Sequence, residues 1–304
     1  MSTDSLAADE SIAVTTTGGR AVAQLWWTRS PTLPGETPGV IGAFSATSAD
    51  AAGAVLAQAA ARLERAGCTI ALGPMDGTTW RSYRFVTEAG TEPPFLFEPV
   101  NPPEWPGWWR AAGFAPLADY ISTVAPDLAA RDSRVAAVAR RMAGAGVSIR
   151  PIQLGNFEAE LGRIHDVSII SFRDNFLYTP ISREAFLAQY RPMETQACAE
   201  LVLIAEQAGR PVGYLFGVPD LMEARRGAPV RTVIVKTLAV LPGRAFAGLG
   251  ALLLDTLHAA AHRLGFTRAI HALMHETNTS RALSAHTART IRRYALFARR
   301  LRAP

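Results

Sequence analysis

TVIVKTLAVLPGRAFAGLGALLLDTLHAAAHRLG, residues 232–265, decides how the chain is read. Nine residues rich in strand formers (232–240) run into Pro242 and Gly243. Gly248 and Gly250 then open a Leu/Ala-rich segment with helical spacing that stops at Gly265. Glycine tolerates positive φ and lets other groups approach the backbone closely. The first N–H groups of a helix lack internal partners and carry the positive end of its dipole, so strand, glycine turn and helix together make an anion cradle. Two nucleotide signatures fail: no GxxxxGK[ST] occurs, and Leu253 breaks G-x-G-x-x-G.

The rest of the chain bounds the answer. Its 304 residues suggest two domains at roughly 100–200 residues each. Hydrophobic content of 49% against 19% charged residues supports a buried core and excludes a disordered chain. Of 31 basic residues a single one, Lys236, is lysine. The net charge of +5 favours anionic partners, and much of the basic charge sits in RTIRRYALFARRLR, 289–302. Cys68 and Cys198 are too few for a disulfide scaffold or a zinc site, and no metal is expected. No signal peptide or apolar run of about 18 residues is visible, so a cytoplasmic protein without a membrane partner is expected.

Strand and helix patterns interleave, which predicts an α/β (α+β) fold with a mixed, mostly antiparallel sheet flanked by helices. Residues 1–19 are polar and read as a flexible tail. Strands are expected at 21–28, 40–46 and 68–75, with a helix at 49–67 ending on Gly67 and another at 106–112. A connecting helix spans 127–146. Beyond it come strand 147–152, a helix from 156 to 172 with Asn156 as N-cap, and a helix capped by Ser182. A hairpin turns at 208–210, strand 268–274 follows, then a short helix at 280–288 and a last strand at 290–297. In both halves strands lead to a helix ending in glycine, then a strand, a short helix and a closing strand. That order predicts a duplication into similar domains, 20–126 and 147–304.

Val240, Pro242, Gly248 and Gly250 resemble the pyrophosphate loop of the GNAT superfamily of acyl-CoA-dependent N-acyltransferases. Its signature is Val-x-Pro, then (Arg/Gln)-x-x-Gly-x-(Gly/Ala) at the start of a helix. Ala245 occupies the Arg/Gln position, with Arg244 one residue early. The family's downstream strand and Asn-led helix are matched by RAIHALM and Asn278. The resemblance covers 147–304 and marks 20–126 as a copy without a phosphate cradle.

The resemblance implies that Leu238, Ala239 and Val240 offer main-chain groups to the pantetheine arm of acetyl-CoA. It places the pyrophosphate on the amides of Phe246, Ala247, Gly248, Leu249, Gly250 and Ala251, with side-chain contacts from Asn278 and Arg281. An N–H near Val240 would polarise the thioester carbonyl. The implied acceptor is a small-molecule amine that attacks the thioester directly in a ternary complex. The family's glutamate base falls on Ile234, and residues 284–286 hold no tyrosine. His286, Ser284 and Glu206 are the substitutes, with His275 and Glu276 as further candidates near strand ends.

Strand alternation puts Lys236 on the face of Val240 and Ile234 unless a bulge intervenes. It is a candidate for binding an acceptor carboxylate or a CoA phosphate, or else a cation at the sheet rim. Phe172, Arg173, Asn175 and Tyr178, in the loop between two helices, are candidate acceptor contacts or core residues. His258 and His262 share a helix face without an HExxH motif. Alternatives to the enzyme are a non-catalytic acyl-CoA-binding protein and a nucleic-acid binder using 289–302. The bland reading of that basic stretch is an edge strand with solvated arginines, so no nucleic-acid partner is expected. Monomer and homodimer both remain open.

Overall fold

The computed structural model describes residues 7–130, 133–276 and 288–301. The first half contains β1 (Glu10–Thr16), β2 (Gly19–Trp26), β3 (Pro38–Ala46), α1 (Ala49–Arg65), β4 (Ile70–Gly73), β5 (Phe85–Glu88), α2 (Trp105–Ala111) and β6 (Ala115–Ala125). Helix α3 (Ser133–Gly144) leads to β7 (Val147–Pro151), α4 (Phe157–Ser171), α5 (Arg183–Tyr190), β8 (Val202–Gln207) and β9 (Arg210–Pro219). Then follow α6 (Leu221–Arg225), β10 (Thr232–Val240), α7 (Leu249–Arg263), β11 (Arg268–His275) and β12 (Arg289–Arg300).

All strands join one mixed sheet in the order β1-β2-β3-β4-β12-β6-β11-β10-β9-β8-β7, with β5 also on β12. Among the described residues only β3–β4 and β10–β11 pair in parallel. The run β1-β2-β3-α1-β4 matches β8-β9-β10-α7-β11 in order and pairing. The closing strands are exchanged. β6, last of the first half, pairs with β11 of the second, and β12, last of the second, pairs with β4 of the first. β6 and β12 also pair with each other at the centre.

Alternation along the strands divides the second half's core. Ile204, Tyr214, Phe216 and Ile234 meet Phe157, Leu161 and Ile164 of α4. Leu203, Leu215, Val233 and Val235 meet Leu249, Leu253 and Leu257 of α7 and Met142 of α3. In the first half α1 covers the sheet with Val55, Leu56 and Leu63.

Three expectations need correction. Residues 10–16 of the expected tail form β1, because Ile12 is buried in the first core. Asn156 stands at the start of α4, but its side chain makes no capping hydrogen bond. The basic stretch is a central strand, and four of its arginines are ion-paired. Arg292 meets Glu98 at 2.7 Å, Arg293 meets Glu276 at 2.7 Å, Arg300 meets Glu36 at 3.0 Å, and Arg289 meets Glu92. Ser182 does cap α5, accepting from the Ala185 N–H at 3.2 Å. The helix expected at 280–288 lies outside the described residues. Among the described residues no helix is long and apolar enough to cross a membrane.

Arg292 and Glu98 are 4% and 2% exposed, and Tyr294 also donates to Glu98 at 2.6 Å. Removing one member of a buried pair strands the other, at a cost of about 3–5 kcal/mol. Arg292→Met is therefore expected to lower the unfolding free energy by that order in urea, whereas Arg300→Met, at an exposed pair, changes it by less than about 1 kcal/mol.

Candidate functional site

β10 and β11 are hydrogen-bonded only over Thr232–Val235 and Arg268–His271. Each ladder then breaks. The pairing of β10 with β9 shifts between Val235 and Thr237, leaving Lys236 as the extra residue of a bulge. The pairing of β11 with β6 shifts between His271 and Met274, and Leu273 has φ of 58°. Past the breaks β10 stays with β9 as far as Val240↔Gly213, while β11 stays with β6 as far as His275↔Tyr120. The two neighbours thus separate into a wedge.

The Leu241 N–H donates to Val212 O at 2.9 Å. In an antiparallel ladder hydrogen-bonded and non-bonded pairs alternate, so Leu238 and Val240 turn their backbone groups away from β9, toward the wedge. Ala239 points its own into the β9 ladder. Ser171, at the end of α4, donates its hydroxyl to Val240 O at 3.0 Å, a contact with no signal in the sequence.

The wedge opens beside the start of α7. Gly248 is its N-cap, left-handed at φ 82°, with no side-chain cap. The Phe246 and Ala247 amides donate inside the turn, to Gly243 O and Arg244 O, each at 3.2 Å. The amides of Gly248, Leu249, Gly250 and Ala251 meet no acceptor among the described residues. Of the six amides that the sequence placed in an anion cradle, these four are open and the other two are used inside the turn. Helix α3 leans on this turn: Arg141 donates to Ala247 O, and Val138 lies where a Gly248 Cβ would touch it at 3.0 Å.

The equivalent features of the first half are closed. Ser48 caps α1 through the Ala51 N–H at 3.2 Å, and Asp50 adds a negative charge to the first turn. Between β3 and β4 the Met75 N–H donates to Ile41 O at 2.9 Å, and Asp76 accepts from the Ala43 N–H at 2.6 Å. Residues 73–76 therefore fill the position that is a wedge in the second half.

Lys236 stands on the wedge with its Nζ 5.2 Å from the Phe97 ring centre. The bulge changes its expected face: Ile234 and Ala239 face the α4 core, while Leu238 and Val240 face the α7 core. Lys236 thus lies with Ile234 and opposite Val240. Burial, assisted by the nearby Arg84 charge, lowers its pKa to about 8. Arg84 is itself buried and lies 3.7 and 4.0 Å from the Tyr83 and Tyr120 ring centres. Its Nη1 donates to Leu273 O at 3.0 Å, at the break in β11. His275 packs edge-on to Tyr120 at 4.9 Å and near Phe176 at 5.8 Å. Burial, and then Arg84, hold its pKa below the ordinary histidine value. Arg84 left no mark in the sequence, because it comes from the half without a cradle.

The other candidates disperse. Glu206 accepts from Arg150 at 2.6 Å and from Arg163, and Arg150 also holds Glu160 at 2.6 Å. This carboxylate is committed to two guanidiniums at the far edge of the sheet and leaves the set of bases. Glu276 is paired with Arg293. Phe172 and Tyr178 turn inward against Trp80, each with ring centres 6.1 Å away, whereas Arg173 and Asn175 are exposed. Next to them a cavity of about 580 Å³ lies between Trp80 and Arg81 of the first half and Pro180, Ile181 and Gln189 of the second. His258 meets His271, not His262, with ring nitrogens 3.2 Å apart. Asn278, Arg281, Ser284 and His286 lie outside the described residues.

Lys236 and Arg84 are two cations that no described carboxylate neutralises. Removing one relieves the folded protein, so Lys236→Met is expected to raise Tm of the ligand-free protein, by about 2–4 °C per kcal/mol recovered. The folded pKa of about 8 lies below the ordinary 10.5, so the unfolded chain binds more protons between these values. The stability gap between variant and wild type should be constant below pH 8 and close as pH rises toward 10.5. Scanning calorimetry across that range checks both statements.

No protein-family model matches the chain, and no curated protein matches it. Solved structures do. A tandem GNAT protein from the clavulanic acid biosynthesis pathway aligns over 97% of this chain and 85% of its own, at 12% identity and TM-score 0.50. A GCN5-related N-acetyltransferase from Sphaerobacter thermophilus aligns over 93% and 77%, at 12% identity and TM-score 0.50. A GCN5-related glucosamine N-acetyltransferase region of a fungal multi-domain β-N-acetylglucosaminidase aligns over 92% of this chain and 31% of its own, at 13% identity and TM-score 0.54. At such identities the likeness is one of fold, and it agrees with the duplicated sheet, the splayed strand pair and the glycine-opened helix: the chain has the GNAT fold, in its tandem form.

Proposed function

We propose that the chain is an acyl-CoA-dependent N-acyltransferase that moves an acetyl group from acetyl-CoA to the primary amine of a small molecule. One observation carries this: four amides at the start of α7, without acceptors among the described residues, lie beside a wedge edged by the backbone of Leu238 and Val240. The anionic and the extended, amide-rich parts of an acyl-CoA need those two features side by side. In this reading 147–304 is the acyl-CoA domain, 127–146 a connector, and 20–126 a copy that has lost its own site. Asn278 and Arg281 would add contacts to the phosphates, with Ser284 or His286 as acids.

The chemistry follows from placement. The thioester carbonyl accepts from a wedge-facing N–H at Leu238 or Val240, which stabilises the oxyanion. The acceptor nitrogen enters from the α4 side and attacks the carbonyl carbon. The C–S bond then breaks and the thiolate leaves with a proton. Holding both reactants in one wedge supplies much of the acceleration. With Glu206 occupied and Ile234 apolar, His275 is the candidate base, because its lowered pKa keeps the ring neutral at pH 7.

Calorimetric titration with acetyl-CoA tests the binding step. Micromolar binding that falls at least tenfold in Gly248→Asp is expected, since the new carboxylate occupies the cradle. For catalysis, His275→Gln should lower kcat by about 10²-fold. It should also remove an acidic limb of the pH–rate profile that lies below pH 6.5, the ordinary histidine value. The buried Ile234 at the family's glutamate position favours a second reading, a non-catalytic acyl-CoA binder. Tight acetyl-CoA binding with no CoA release across an amine panel would establish it instead.

A further inference from the structure

We infer that Arg84 and Lys236 form a two-cation site for a carboxylate carried by one of the two reactants. The inference rests on the acyl-CoA reading for the identity of those reactants. Both side chains are placed by irregularities: Lys236 is the extra residue of the β10 bulge, and Arg84 reaches the β11 break at Leu273. Arg84 uses Nε on Tyr83 O at 3.3 Å and Nη1 on Leu273 O, which leaves Nη2 with no acceptor among the described residues. Lys236 has only the Phe97 ring as a partner there. A pair of like charges inside a mostly apolar wedge is unfavourable unless an anion joins it. The other buried arginine among the described residues, Arg292, is matched by a carboxylate, that of Glu98.

The anion is not a phosphate of CoA. The α7 cradle lies on the other face of the sheet, and Lys236 precedes Val240 by four residues, about 13 Å of strand. A guanidinium nitrogen and an ammonium can each donate to one oxygen of a carboxylate. Phe97 and Phe176, 38% and 36% exposed, line the mouth and suit an apolar stem behind the charge. Two sources share this chemistry: an acceptor with a carboxylate beside its amine, or an acyl thioester with a distal carboxylate.

Titration calorimetry at pH 7 separates them. Succinyl-CoA binding at least tenfold tighter than acetyl-CoA assigns the carboxylate to the acyl group. Binding of β-alanine, but not n-propylamine, to the CoA-loaded protein assigns it to the acceptor. Either preference should fall at least tenfold in Lys236→Met, with its folding checked by cooperative thermal unfolding, and in Arg84→Gln. If acetyl-CoA binds and neither preference exists, or a preference survives in Lys236→Met, the two-cation site is wrong while the acyl-CoA reading stands. If acetyl-CoA does not bind, that reading fails, and titration with succinate decides the site alone: heat lost in Lys236→Met supports it, and no heat in the wild type overturns it.

Discussion

The wedge between β10 and β11 exists because β11 has a better partner on its other side. Parallel neighbours that begin in register normally stay paired, since each lost backbone hydrogen bond must be replaced. Here the replacement comes from β6, the strand handed over by the first half, which holds Met274 and His275 against Ile121 and Tyr120 beyond the break. The exchange of β6 and β12 also leaves neither half with an exposed strand at the junction. The first half therefore props the site open although it has no cradle of its own. It contributes Arg84 at the break, Phe97 beside Lys236, and Trp80, which donates to Thr179 O at 2.8 Å and meets Phe172.

The two copies show how little separates an open helix start from a closed one. Both have three strands, a helix and a parallel fourth strand. In one, a serine and an aspartate complete the helix start, and the chain after β4 folds back between the strands. In the other, a left-handed glycine leaves the amides open and the strands part. A phosphate at α1 would have to displace the Ser48 hydroxyl and approach Asp50. At α7 the same anion meets neither.

Most of the fold was legible because it rests on local pattern. β10 follows its run of strand formers, and α1 and α7 stop before Gly67 and Gly265, both left-handed. What failed depends on distant partners. Arginines every few residues in 289–302 look solvated until Glu36, Glu92, Glu98 and Glu276 are brought to them. Glu206 looks like a base until Arg150 and Arg163 enclose it. The open amides of the glycine turn were readable because they follow from backbone chemistry at fixed spacing. The wedge was not, since a bulge at Lys236 shifts every later side chain by one face and has no residue signature there. Arg84 could not have been found from the motif, which lies in the other half.

The departure at Ala245, where the family signature has Arg or Gln, finds a physical answer in α3. Arg141 ties back the carbonyl of Ala247. A trans peptide is planar, with its C=O and the following N–H pointing in opposite directions. Fixing Ala247 O toward α3 therefore aims the Gly248 N–H away from α3, to the open side of the turn. A guanidinium from outside the loop rests on this turn, although position 245 holds none. It acts on the backbone of the turn, through a helix that sequence alone marks only as a connection between two halves.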